Sequence, residues 1–374
     1  MQQRLSYVDG LRAIAVLAVV VEHVGSYLFR ANSVPGQITR SGMHGVDLFF
    51  VISGFCLSYP VIARMHECGS ALFEAVKYCA RRTIRILPPY YLAICILALG
   101  YAATGSALTW ADILRQFLLL DGGPAGHTLN PSFWTLPIEF RWYAAFPFLL
   151  ALWVKAPRAF FLLAGLLVLS AATKLASDDV LILPAFMLGI AAAALFVRGT
   201  NCTAIALAAA AVFAVIGALR TAANWQYCIH PAWQAAAFCF AAGCGSSRAL
   251  RSVLSAPPLT WIGTASYSIY LIHYPLVNYL VHRGVNAAIA GVVAIAAGAV
   301  FWRIAERPFT ADSQIRRTLL DAAERILSRT FAFLQMPRSF VLAGPLHPEP
   351  AAAVSVAARS ASDAARAVLA ESHG

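Results

Sequence analysis

Arg12 and His23 stand eleven residues apart in the apolar stretch that runs from Tyr7 to Gly25. An α-helix turns about 100° and rises about 1.5 Å per residue, so residues eleven apart share a face about 16 Å apart along the axis. Across a bilayer, that puts a permanent cation near one surface and an imidazole deep in the apolar layer. Ionisable groups inside a membrane cost free energy and face a partner or a water-filled cavity, so they are functional candidates by default. The guanidinium can anchor an anion. The imidazole can take a proton from an attacking hydroxyl or carry a group itself. Glu22 adjoins His23 but points about 100° away around the helix, so no direct role is expected of it.

Four further segments carry unusual chemistry. In Gly42-Met-His-Gly-Val-Asp-Leu-Phe-Phe-Val-Ile-Ser-Gly-Phe55, Asp47 enters an apolar run, and Ser53 with Gly54 offers a small patch for close helix packing. The plainer reading of Asp47 is a helix cap. Arg82 and Arg85, in Arg81-Arg-Thr-Ile-Arg-Ile-Leu-Pro-Pro89, lie at i, i+3 and share a helix face. Paired guanidiniums suit phosphate, and setting topology is the competing explanation. In Asn130-Pro-Ser-Phe-Trp-Thr-Leu-Pro-Ile-Glu139, a carboxylate enters a span behind Trp134 and needs a partner. Arg141 is the nearest cation, but residues two apart do not face each other on a helix. In Ser266-Tyr-Ser-Ile-Tyr-Leu-Ile-His-Tyr-Pro275, His273 is placed at a depth similar to His23, as a ligand-facing or purely structural histidine, and Pro275 opens the helix backbone locally. Pro308, in Ala305-Glu-Arg-Pro-Phe309, marks a helix end.

The elements that position these groups follow from composition. Hydrophobic residues make up 60% of the 374 and charged ones only 12%, and the mean hydropathy is +0.69. Those values exclude an ordinary soluble domain. Apolar runs of about 20 residues predict an all-α, polytopic membrane bundle of about ten spans. They lie roughly at 8–29, 43–63, 85–105, 133–154, 159–177, 180–198, 202–219, 226–245, 260–281 and 285–304. The first run carries Asp9, Arg12, Glu22 and His23 and lacks a small-residue cleavage site, so a retained helix is expected, not a signal peptide. Positive charges concentrate in alternate connections: Arg64, Lys77, Arg81, Arg82 and Arg85; Lys155 and Arg158; Arg198; Arg248 and Arg251; and Arg307 with the tail. Only scattered cations such as Arg40, Arg115, Lys174, Arg220 and Arg283 fall in the opposite loops. The positive-inside rule then places both termini in the cytoplasm. The net charge of +11 points to anionic lipid and an anionic cytoplasmic ligand, with no nucleic acid expected.

The eight cysteines show no metal-binding spacing and no C-x-x-C, and no metal ion is expected. No P-loop, dinucleotide fingerprint or G-x-S-x-G elbow is present.

Taken together, Arg12 with His23, the Gly45–Phe55 string, Trp134-Thr-Leu-Pro-Ile-Glu139, the Ser266–Pro275 segment and Glu306-Arg-Pro308 resemble the membrane acyltransferase-3 family. Its members are bacterial O-acyltransferases acting on surface or exported glycans, and the resemblance covers about residues 5–310. It implies that His23 is the essential histidine, Arg12 its paired arginine, Arg82 and Arg85 the basic segment, and Glu139 the first glutamate of a paired motif. Thr135 stands where the family has serine, and Phe140 where it has a second glutamate. An acceptor reached only through the esterase-like outer domain of some relatives is not expected.

The functional expectation is a multi-pass enzyme of the bacterial inner membrane. It would move an acyl group, acetyl by the family's habit, from cytoplasmic acyl-CoA to a hydroxyl of a glycan or glycolipid. His23, Glu139 and Asp47 form the catalytic set. Arg12, Arg82, Arg85, His273 and Trp134 contact the substrates, with Glu139, Asp47 and His273 at the outer mouth. A proton-coupled transporter or exporter is the alternative, and a non-catalytic partner of an export machine a third. Residues 1–310 are read as the membrane domain, 311–336 as an amphipathic helix on the inner leaflet, and 337–374 as a disordered tail.

Overall fold

The computed structural model describes residues 5–63, 71–103, 109–120, 128–170, 178–222, 229–310 and 313–333. Among them every regular element is helical and no strand occurs. Ten long helices precede Phe309: α1 (Ser6–Leu28), α2 (Gly45–Ile62), α3 (Ala71–Ala103), α4 (Thr135–Lys155), α5 (Pro157–Ser170), α6 (Asp178–Val197), α7 (Thr203–Ala222), α8 (Ile229–Ser246), α9 (Pro257–His282) and α10 (Ala287–Phe301). Each overlaps one expected span, and α3 begins 14 residues before the expected 85–105. Five stretches are long and apolar enough by themselves to cross a membrane: Ser6–Leu28, Val34–Ile62, Val76–Ala103, Val180–Val197 and Ala287–Thr310. The chain is a multi-pass, all-α membrane protein. Large apolar side chains such as Leu99, Phe148, Leu162 and Ile205 stand exposed on its outside, as lipid contact requires.

Close backbone approach sets the packing around α1 and α2. A Cβ added at Gly54 would clash with the Phe186 carbonyl, and one at Gly189 with the Val51 carbonyl, so α2 and α6 meet glycine to glycine. Small residues at such crossings let helices associate where lipid offers no hydrophobic driving force. The same holds for α9, where Gly263 lies against the Asp9 carbonyl of α1. Gly45 of α2 lies likewise against the Ala15 carbonyl, so α1 is held between α2 and α9.

Two proline sites shape the frame. Pro275 has no amide N–H, so the carbonyl of Leu271 loses its partner within α9. Asn130 supplies the missing donor, its Nδ2 lying 2.8 Å from that oxygen. The Tyr270 hydroxyl donates to the Ser132 carbonyl at 2.7 Å, a second stitch between α9 and the turn Pro131–Trp134 that opens α4. Pro308 behaves differently from expectation. The chain passes from α10 through a π-turn at Trp302–Glu306 into a further helical turn, Arg307–Thr310, and does not end at the proline. The π-turn adds a residue to the turn ahead of Pro308, and Glu306 within it is fully buried.

Helix α11 (Gln314–Phe333) follows, tied to α3 by Lys77 Nζ to Glu324 Oε1 at 2.5 Å. It exposes Ile315, Leu319 and Ile326. Arg64, Lys174, the Arg220 side chain, residues 334–336 and the tail 337–374 lie outside the described residues.

Candidate active site

Three adjoining cavities follow α1 from its Arg12 end to its His23 end. The inner one, about 520 Å³, is walled by Asp9 and Arg12 from α1, Cys56 and Tyr59 from α2, Tyr78, Arg82 and Arg85 from α3, and Trp302 and Arg307. The middle one, about 80 Å³, shares Arg12, Arg82 and Arg85 with it and adds Ser53, Thr135, Glu139, Tyr267 and Tyr270. The outer one, about 210 Å³, shares Val46 and Tyr270 with the middle and holds Glu22, His23, Asp47, Ser132, Trp134 and His230.

Three cations of the inner cavity, Arg12, Arg82 and Arg85, are each held by a hydrogen-bond partner. Arg12 Nη1 lies 3.0 Å from Asp9 Oδ1, three residues earlier on the same helix face, and its Nη2 lies 3.2 Å from Cys56 Sγ. Arg85 places Nη2 and Nε at 2.9 and 3.2 Å from Glu306 Oε1. Glu306 also accepts from Ser268 Oγ at 2.8 Å, so its burial is compensated. Arg82 Nε reaches the Tyr143 hydroxyl at 3.3 Å. That hydroxyl donates to Glu139, which also accepts from Ser53 Oγ at 3.0 Å. These bonds fix each guanidinium while leaving other N–H groups for a ligand, since a guanidinium carries five donors. Glu139 thus lies beside the arginines in the middle cavity, not at the outer mouth. It sits one turn inside α4, with its carboxylate drawn inward by Ser53 and Tyr143.

The outer cavity carries titratable groups. His23 Nδ1 lies 2.8 Å from Glu22 Oε2, contrary to the expectation that Glu22 points away. Two adjacent side chains diverge at Cβ, but the extra methylene of glutamate lets its carboxylate bend back to the neighbouring ring. A proton held between Nδ1 and this carboxylate leaves Nε2 as the ring's lone-pair nitrogen. The ring of His273 lies 5.1 Å from that of His23, and Tyr274 stands at 4.8 Å edge-on. His273 is fully buried, with Nδ1 at 2.8 and 3.1 Å from the carbonyls of Tyr270 and Ile269. It backs His23 from inside the protein. Asp47 opens α2 and is buried. Its Oδ2 lies 2.7 Å from His44 Nδ1 and its Oδ1 3.6 Å from His230 Nδ1. Trp134 is 37% exposed at the edge of the outer cavity.

The structure therefore gathers Arg12, Arg82, Arg85 and Glu139 around the inner and middle cavities, and His23, Asp47 and Trp134 around the outer one, with His273 behind His23. Sequence reasoning did not single out Ser53, Tyr143 and Tyr270 as site groups, nor His44 and His230 as partners of Asp47. Tyr270 and Ser53 lay inside quoted motifs, but their neighbours are far away in the chain. His44 stood at the three-residue spacing from Asp47 that shares a helix face. No local signal tied His230 to it.

A family model described as an acyltransferase domain matches residues 5–305. The chain is 27% identical over 323 residues to the peptidoglycan O-acetyltransferase OatA of Listeria monocytogenes, a match covering 72% of this chain and 49% of that protein. It is 27% identical over 168 residues to the acyltransferase MdmB of Streptomyces mycarofaciens, covering 41% of this chain and 40% of that one. With the O-acetyltransferase OatA of Staphylococcus aureus it shares 26% identity over 161 residues, covering 37% and 23%. The chain spans about half the length of the Listeria protein. No solved structure matches.

Proposed function

The chain belongs to the acyltransferase family matched over residues 5–305, and on that premise we propose that it is a membrane O-acyltransferase. The donor is cytoplasmic acyl-CoA, acetyl-CoA in the first instance. The acceptor is a hydroxyl of a glycan or glycolipid on the outer side of a bacterial plasma membrane. One relative is named for peptidoglycan, which makes that polymer the first acceptor to test.

The observation that carries this reading is the succession of cavities along α1, which leads from Arg12, Arg82 and Arg85 to His23. A coenzyme A head is a polyanion, and its phosphates suit fixed guanidiniums that keep free donors. The pantetheine arm is long and thin enough to follow the rise of about 16 Å from Arg12 to His23. The thioester then reaches the outer cavity while the nucleotide stays at the inner one. With Nδ1 held on Glu22, His23 Nε2 takes the proton of the acceptor hydroxyl. The oxygen attacks the thioester carbonyl, the carbon–sulfur bond breaks, and the thiolate leaves to be protonated as free CoA. A short-lived acyl-histidine would use the same nitrogen as nucleophile. Ser53 and Tyr143 hold Glu139 beside Arg82, where its charge steadies the arginine that the donor phosphates approach.

This reading takes helices α1 to α10 as spans, with both ends of the described chain in the cytoplasm. Residues 1–310 form the catalytic membrane domain and 311–336 an amphipathic segment on the inner leaflet.

Release of free CoA from acetyl-CoA by the purified chain tests the proposal, with and without a crude glycan extract and beside His23→Ala. Glycan-stimulated release by the wild type alone supports acyl transfer centred on His23. Absence of release across several acyl-CoA donors, from folded protein, would overturn it in favour of transport.

A further inference from the structure

Asp47 is a carboxylate only 1% exposed at the start of a membrane helix. Such a charge needs compensation on both oxygens. Its two oxygens face two imidazoles, His44 and His230, and each of the three residues offers a ligand atom within 4.8 Å of the others. His44 and Asp47 lie three residues apart at the opening of α2 and so share a face, while His230 comes from the first turn of α8.

The residues behind this trio hold it in shape. Trp233 stacks on the His44 ring at 4.9 Å with the planes 12° apart. Gln234, one turn beyond His230, places Nε2 at 3.4 Å from Asp47 Oδ1 and 2.7 Å from the Leu181 carbonyl. Asp47 and His230 open onto the outer cavity beside His23. An ion entering that cavity reaches the carboxylate without crossing the packed interior.

We propose that His44, Asp47 and His230 bind a zinc ion whose remaining coordination position opens on the outer cavity. Two imidazole nitrogens and one carboxylate oxygen are borderline donors that suit zinc, whereas calcium and magnesium call for oxygen-rich cages. Three protein ligands with a fourth position left open is the arrangement zinc takes where it handles a substrate oxygen. Outer contacts that orient the ligands, as Trp233 and Gln234 do here, belong to such sites. This reverses the expectation of no metal, which rested on cysteine spacing. The fourth ligand would be water or an acceptor hydroxyl, whose proton zinc makes easier to remove. That last role rests on the acyl-transfer reading, whereas the binding of the ion does not.

The test uses the full chain in detergent after removal of any affinity tag. Metal content is measured by mass spectrometry, and thermal stability is followed as zinc is added to chelator-treated protein. The proposal expects stoichiometric zinc and a rise in Tm with added zinc, as any ligand of the native state produces. Both should be lost in Asp47→Asn and in His230→Ala. His230, with a side chain 27% exposed, is the substitution better tolerated by the fold. A wild type that neither retains nor takes up zinc overturns the proposal. So does equal zinc uptake by wild type and His230→Ala, which would mark adventitious binding elsewhere. These readouts are independent of turnover, so a chain that binds zinc but transfers no acyl group breaks the functional reading and leaves the metal site standing.

Discussion

The inner and outer cavities lie along the same helix and are built from opposite kinds of charge. The inner one presents Arg12, Arg82 and Arg85, guanidiniums each held by a hydrogen-bond partner, with Asp9 and Arg307 beside them. The outer one is lined by His23, Glu22, Asp47 and His230, imidazole and carboxylate side chains of the types that serve as proton carriers in catalysis. Permanent charges serve recognition, because their strength does not depend on protonation. Titratable groups serve chemistry, because a proton has to move. The separation keeps the arginines from repelling a protonated imidazole, and it fits a donor with a polyanionic head and a reactive end far from it.

Four substitutions would break or sharpen this contrast. The largest effect is expected from His23→Ala, which should lower acyl transfer about 100- to 10,000-fold, the range of a lost general base. Donor affinity should stay intact, as equilibrium binding of acyl-CoA would report. Arg12→Ala should do the converse, weakening donor binding by about 10- to 100-fold, the scale of one charge-assisted hydrogen bond. Its effect should shrink at high salt. Undiminished acyl-CoA affinity in this variant would count against the anchor role.

Asn130→Ala leaves the Leu271 carbonyl buried without its donor and should cost about 1–3 kcal/mol of stability. Among the activities it should disturb the outer cavity alone, raising the KM for the acceptor while the donor KM holds. Glu22→Gln is the mildest. The pair is partly exposed, so a loss near 1 kcal/mol, about fivefold in kcat with KM unchanged, is expected. A KM effect instead would show that Glu22 touches substrate and does not position His23.

The spans were legible because burial in lipid demands uninterrupted apolar length, which is a local property of sequence. Each of the ten expected stretches overlaps a helix for this reason. Arg12 and His23 were legible because charged residues in such stretches stand out. The partners of Arg85 and Glu139 were not. Glu306 reaches Arg85 across 221 residues of sequence, and Ser53 reaches Glu139 across 86. Such pairings are decided by which helix faces meet, which periodicity does not specify. Glu22 was misplaced because helix geometry fixes Cβ directions but not the ends of flexible side chains. The fate of Pro308 turned on the π-turn before it, a register change that composition does not announce.

Pro275 and Asn130 act as a single device divided between two distant parts of the chain. The proline vacates one carbonyl and the asparagine occupies it, so the helix is incomplete without the loop and the loop unfastened without the helix. Replacing Pro275 by alanine would restore the Leu271 partner within α9 and give a more regular helix. That gain would displace Asn130 and leave the turn that carries Ser132, Trp134 and the start of α4 held to α9 through Tyr270 alone. A local improvement in helix geometry would then be read out as a poorer outer cavity. The two positions are therefore expected to tolerate change together better than either tolerates it alone.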